Sequence, residues 1–132
     1  MADALIGTWN CQSVENFEAY LEGLGVPDEI RELSKDSKPT VEISRDGSQW
    51  RIKTTAGDRT IEHTYVENEE TEINSLIGKK VTSTLTTEGS KLVERQKVGD
   101  IDIVIERSIQ NGEYIAKFRA KGVEATARFT RA

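Results

Sequence analysis

Turn-forming pairs recur along most of this chain at short, even intervals: Asp46-Gly47, Ala56-Gly57, Ile77-Gly78, Glu88-Gly89, Val98-Gly99, Asn111-Gly112 and Lys121-Gly122. The segments between them are too short for crossover helices, so they read as antiparallel strands joined by hairpins. Asn111-Gly112 is the strongest of these turns, because a type I′ hairpin needs positive φ at both central residues. The spacing reflects strand length and does not mark tandem repeats of a module.

Only the stretch 16–37 departs from this pattern. Phe17, Tyr20, Leu21 and Leu24 fall at i, i+3, i+4 and i+7, which places them on one helical face, and Gly25 supplies a C-terminal stop. A second short helix is expected next, with Pro27, Asp28 and Glu29 in its first turn and Ile30 and Leu33 on its apolar side. Lys38-Pro39 closes the region. The expectation is one domain, 1–132, in which a helical hairpin at about 16–37 separates a first strand, about Ile6 to Val14, from all the others.

About ten strands and two short helices must then bury their apolar faces. Hydrophobic residues make up 36% of the chain and charged ones 31%, too apolar-poor a mixture to fill a solid multilayer core. A meander closed on itself removes the exposed edges, and with ten strands it is wide enough to leave an interior that side chains do not fill.

Alternation assigns the inner face. Ile101, Ile103, Ile105, Arg107 and Ile109 form one row; Tyr114, Ala116 and Phe118 form another; Val123, Ala125, Ala127 and Phe129 form a third. Arg128 belongs to the opposite row with Glu124 and faces water, since a one-residue slip would bury Glu124 and expose Phe129. Arg107 is thus a guanidinium on an apolar face, a costly placement unless an anion or polar network answers it. Two accounts stand side by side: the anion is a ligand's head group, or the arginine is structural, satisfied by an internal group such as Glu94 or placed near a rim where its long stem snorkels to solvent. Val93 interrupts a polar strand, so alternation leaves the facing of Glu94 and Gln96 open. Leu76 and Ile77, apolar at a turn tip, mark either an opening that apolar ligands cross or a fold back onto the core.

Several functions fit poorly. A net charge of −5 disfavours nucleic acid. No apolar run exceeds three residues, far short of a signal-peptide core or a membrane span. His63, the single histidine, reads as a strand surface residue, and Cys11, the single cysteine, reads as buried packing beside Trp9. No metal-ligand cluster or phosphate loop is present in the sequence, so neither an enzyme nor a cofactor is expected.

Across essentially its whole length the chain resembles the intracellular lipid-binding proteins, which include fatty-acid-binding proteins and cellular retinoid carriers. Gly7-Thr8-Trp9, Asn16-Phe17-Glu18, Tyr20-Leu21, Leu24, Lys38-Pro39, Asp46-Gly47, Ile52-Lys53, Lys80-Val81 and Arg131-Ala132 carry the resemblance. It implies an all-β fold, a ten-stranded antiparallel up-and-down clamshell barrel capped by a helix-turn-helix lid over an internal ligand cavity. It further implies a portal around Val26, Ile30, Ala56, Gly57, Leu76 and Ile77, and a cavity lined by Phe17, Leu21, Val41, Thr54, Ile105, Ala116 and Phe118. The family's usual carboxylate site has two interior arginines and a tyrosine. Arg107 matches the first arginine, but Ala127 and Phe129, on the cavity wall, stand where the other two groups would be. That departure leaves Arg107 and Gln96 as the head-group candidates.

The expected function is non-covalent binding and cytoplasmic transport of long-chain fatty acids or similar apolar ligands by a monomer. Burying about fourteen methylenes contributes roughly 11 kcal/mol gross, against about 1.5–3 for one charge-assisted hydrogen bond, so the tail dominates affinity. The altered head-group set leaves room for a retinoid, a bile-acid-like ligand or a neutral lipid, or for a lipid-responsive interaction protein. Arg31, Lys35 and Lys38 on the lid either meet anionic membranes transiently or simply solvate a helix.

Overall fold

The computed structural model describes residues 2–23, 38–56, 59–74, 80–98 and 101–132. A 3-10 turn at Ala2–Leu5 precedes β1 (Gly7–Glu15) and α1 (Phe17–Gly23). Nine strands follow: β2 (Thr40–Asp46), β3 (Gln49–Ala56), β4 (Arg59–Val66), β5 (Glu70–Asn74), β6 (Lys80–Glu88), β7 (Lys91–Val98), β8 (Ile101–Gln110), β9 (Glu113–Ala120) and β10 (Val123–Arg131). They form one antiparallel sheet in the order β4-β3-β2-β1-β10-β9-β8-β7-β6-β5. Consecutive strands are sheet neighbours except β4 and β5, which no ladder joins among the described residues, and β1 also pairs with β10, joining the first strand to the last. The result is the ten-stranded antiparallel barrel that the sequence leads one to expect, near-closed, with a seam between β4 and β5.

Each hairpin has a local cause. Asn111 and Gly112 have φ of 55° and 80°, the pair of left-handed residues that a type I′ turn requires. The turn between β4 and β5 has no glycine and is absent from the series of turn pairs above. There Asn68 takes φ of 65°, which asparagine tolerates better than other side chains, and its N–H donates to Leu85 O at 2.9 Å. That bond carries the turn across the seam onto β6. Asn16, at φ 59°, likewise reverses the chain from β1 into α1, and its side-chain amide donates to Glu124 O at 2.9 Å.

Two apolar clusters line the interior. Trp9, Trp50, Tyr65, Leu85, Leu92, Tyr114 and Phe129 belong to the larger. Beneath α1 lies the smaller, with Tyr20, Ile103, Ile105, Ala120 and Ala125, and Phe118 packs against both. Phe17 meets Phe118 edge-on at 5.4 Å, and Tyr20 lies 5.8 Å from it, so the i, i+3 face of α1 docks as its spacing predicts. The second expected helix falls at residues outside those described.

The Gly7-Thr8-Trp9 motif has a packing reason. The Arg131 guanidinium lies over the Trp9 ring at 4.4 Å and donates to the carbonyls of Ala4 and Ile6. A Cβ on Gly7, whose φ is 144°, would come within 2.5 Å of Arg131 Nη1. The motif therefore clears space for the residue that ties the last strand to the first.

Asn68→Val places a β-branched residue in the left-handed region and is expected to cost about 1–2 kcal/mol, whereas Asn68→Gly should be close to neutral. Urea unfolding of both variants measures the difference; equal stabilities would show that the turn does not depend on this conformation.

Candidate functional site

Strand register settles which side chains share the interior. Leu92 pairs with Arg107, Glu94 with Ile105 and Gln96 with Ile103, so Glu94 and Gln96 point inward beside the apolar row of β8. Val93 lies opposite Glu106 on the outer face, where it is buried by its neighbours at 3% exposure. Its apolar character thus misleads alternation on that strand.

Glu94 is fully enclosed, at 0% exposure. Its Oε1 accepts from Arg107 Nη1 at 2.8 Å, and its Oε2 accepts from the hydroxyls of Tyr65 and Ser83, both at 2.7 Å, and from the Gln96 amide. Arg107 Nε donates to the Tyr114 hydroxyl at 3.1 Å. Of the two accounts of Arg107 left open by the sequence, the structure displays an internal pair: Glu94 neutralises the guanidinium. Burial alone would push the Glu94 carboxyl up, but the Arg107 charge and the bonds from Tyr65, Ser83 and Gln96 outweigh it and hold it below its ordinary value. Burial likewise works to discharge Arg107, and the electron-rich hydroxyl of Tyr114 and the Glu94 charge reverse that and keep it protonated.

His63 requires a correction. It pairs with Ile52, which is in the core, and so faces inward, half-buried, where the sequence reads as a strand surface position. Its Nδ1 is 3.3 Å from the Tyr65 hydroxyl. Because that hydroxyl gives its proton to Glu94, the imidazole must be the donor in this contact. Tyr20 also senses the carboxylate: burial and the Glu94 charge push its phenol up to about 12.

The remaining candidates fall as follows. Val41, Ile105, Ala116, Ala127 and Phe129 face inward and are buried, while Thr54, Phe118 and the α1 residue Phe17 are half-buried. Phe129 stacks on Tyr114, its cross-strand partner, with ring centres 4.7 Å apart. Leu21 lies in α1, but its side chain is outside the described set. Ala56 ends β3, pairing through its backbone with Arg59. Val26, Ile30, Gly57, Leu76 and Ile77, and the lid residues Arg31 and Lys35, lie outside the described residues. Tyr65, Ser83 and Tyr114 complete the polar network without having been singled out as such; alternation puts Tyr114 on an inward row, but the approach of the three hydroxyls to Glu94 and Arg107 is a matter of how the sheet curls, which no local pattern reveals. Cys11 is buried among the larger cluster, and burial raises its thiol above the ordinary range. Among the described residues no group of three or more His, Cys, Asp or Glu could hold a metal ion, and no helix is long and apolar enough to cross a membrane.

The sequence pattern of the lipocalin / cytosolic fatty-acid binding protein family matches residues 6–119. Fatty acid-binding protein 1, liver, of Ambystoma mexicanum is 38% identical over 92 residues, covering 69% of this chain and 73% of that protein. Fatty acid-binding protein 12 of Mus musculus is 34% identical over 131 residues, 99% of each chain. Among solved structures, the REP1-NXSQ fatty acid transporter superposes with a TM-score of 0.95 at 27% identity, covering 99% of this chain and 98% of its own.

Removing either member of the Glu94–Arg107 pair leaves the other charged and buried, so Glu94→Gln and Arg107→Met are each expected to cost about 3–5 kcal/mol, with the double variant recovering much of the sum. A double-mutant cycle by urea unfolding checks this, and simple additivity would mean the charges do not couple. Acid provides a second reading. The folded carboxyl titrates below its unfolded counterpart, so between those two values the unfolded chain holds more protons and stability is lost as the pH is lowered. Glu94→Gln should flatten that acid limb; an unchanged limb would assign it to other carboxylates.

Proposed function

The chain belongs to the lipocalin / cytosolic fatty-acid binding protein family, and from that membership we propose that it binds long-chain fatty acids or similar apolar lipids inside the barrel and carries them through the cytoplasm. The family is one of non-enzymatic carriers. The whole chain, 1–132, acts in this reading as one lipid-binding unit.

The observation that carries the proposal is the inner face itself. Val41, Ile105, Ala116 and Phe118 give it an apolar wall, yet Thr54, Ile61 and Phe118 point inward and remain only half-buried. Inward side chains that retain accessible surface are what an incompletely filled interior leaves behind. A tail laid along them gains by burial, at roughly 0.8 kcal/mol gross per methylene, and the polar end lies at Arg107 and Gln96, the two groups that already converge on one carboxylate. Tail burial outweighs any single head-group bond, so Ala127 and Phe129 in place of a second cation and a hydroxyl relax selectivity without abolishing binding.

Delipidated protein is expected to bind a fluorescent fatty-acid analogue saturably and to release it to fatty acids, and in a homologous series affinity should rise by up to about fourfold per added methylene until the interior is full. Absence of saturable binding to every fatty acid, retinoid and acyl conjugate tried would overturn the assignment.

A further inference from the structure

We propose that the interior favours a lipid whose polar head is uncharged and carries a hydrogen-bond donor, such as a long-chain alcohol or primary amide, over one ending in an ionised carboxylate. This rests on the carrier reading above and concerns only the chemistry at the polar end.

Charge is the first argument. The cation that would hold a carboxylate is already balanced: Arg107 and the fully enclosed Glu94 are in contact at 2.8 Å, and together they are neutral. A ligand carboxylate reaching the same guanidinium would lie close to Glu94, and two like charges in a water-poor interior repel strongly. Nor is a second cation supplied by β10, since Ala127 and Phe129 face inward and Arg128 faces out. Among the described residues, the other titratable groups facing this interior include the phenols of Tyr20, Tyr65 and Tyr114, the imidazole of His63 and the thiol of Cys11. Burial and the nearby Glu94 charge hold the Tyr20 and Tyr65 phenols protonated.

Hydrogen-bonding capacity is the second. Glu94 already accepts four donors, three at Oε2 and Arg107 at Oε1, and an ionised ligand head has no proton to add to them. The Gln96 amide nitrogen is one of those donors, which fixes the orientation of the amide and leaves its carbonyl oxygen as an acceptor that no described residue fills. An ionised carboxylate has no proton to give it. A hydroxyl or primary amide has one. Arg107 commits Nε to Tyr114 and Nη1 to Glu94, leaving further N–H groups among its five for the oxygen of the same head. A donor-acceptor head can therefore satisfy both groups at once, and Gln96 is half-buried, within reach of the interior.

Four ligands with one tail test this: oleate, oleyl alcohol, oleamide and methyl oleate, titrated below their aggregation limits at a pH where free oleate is fully ionised. Differences in cost on the water side cancel when each ligand's affinity for a variant is divided by its affinity for the unsubstituted protein. Glu94→Gln unbalances Arg107, and oleate should gain roughly tenfold to a hundredfold relative to oleyl alcohol. Gln96→Leu removes the acceptor, and oleyl alcohol and oleamide should lose about tenfold relative to methyl oleate, which has no donor to lose. If Glu94→Gln does not fold, the Gln96→Leu series decides alone. Oleate unmoved or weakened relative to the alcohol in Glu94→Gln, or the alcohol, amide and ester falling together in Gln96→Leu, overturns the proposal. Either result would leave the carrier reading intact, which fails only if the unsubstituted protein binds none of the four.

Discussion

A carboxylate withdrawn completely from water must be met by donors, and Glu94 is met from four different strands. Tyr65 reaches it from β4, Ser83 from β6, Gln96 from its own β7 and Arg107 from β8. Tyr114 on β9 then holds the arginine. These bonds cross the interior at the place where the backbone ladder stops, because β4 and β5 form the two edges of the sheet. Side chains thus do at the seam what main-chain pairing does elsewhere, and the position of one carboxylate ties together strands that are distant in both sequence and sheet order.

The polar network rests on an aromatic floor. The Tyr114 hydroxyl oxygen accepts from Arg107 while its ring stacks on Phe129 and meets Trp9 edge-on at 5.7 Å. Trp9 in turn donates to Leu5 O and lies under the Arg131 guanidinium. A displacement of Tyr114 would disturb the buried charge pair on one side and the closure of the chain ends on the other. Both arginines are satisfied within the protein, one by an acid and one by an indole face and two carbonyls, so neither remains as a bare cation awaiting an anion.

That arrangement shapes the functional reading. In the proposed reading, an interior with an apolar wall and a charge-balanced polar cluster stabilises a long tail through burial and discriminates at the head through hydrogen bonds. In that reading, net charge at the cluster, more than the presence of Arg107, decides which heads are accepted. A family resemblance read from Arg107 alone points to a carboxylate, and the partner at 2.8 Å changes what that arginine can offer.

The sequence by itself determined the meander, the inward rows of β8, β9 and β10, the outward Arg128 and the docking face of α1. All of these follow from period-two or period-3.6 alternation and from turn residues adjacent in the chain. The turn at Asn68 escaped because asparagine reaches positive φ without advertising it, and Glu94 escaped because Val93 is buried on the outer face by neighbours from other strands. His63 was misplaced because one charged neighbour in sequence says little about a position whose cross-strand partner is Ile52. Only the tertiary structure decided that Arg107 is neutralised from within. A salt bridge between residues on two strands depends on register and on which donors reach the same oxygen, quantities set by the closing of the sheet and not by any local stretch of chain.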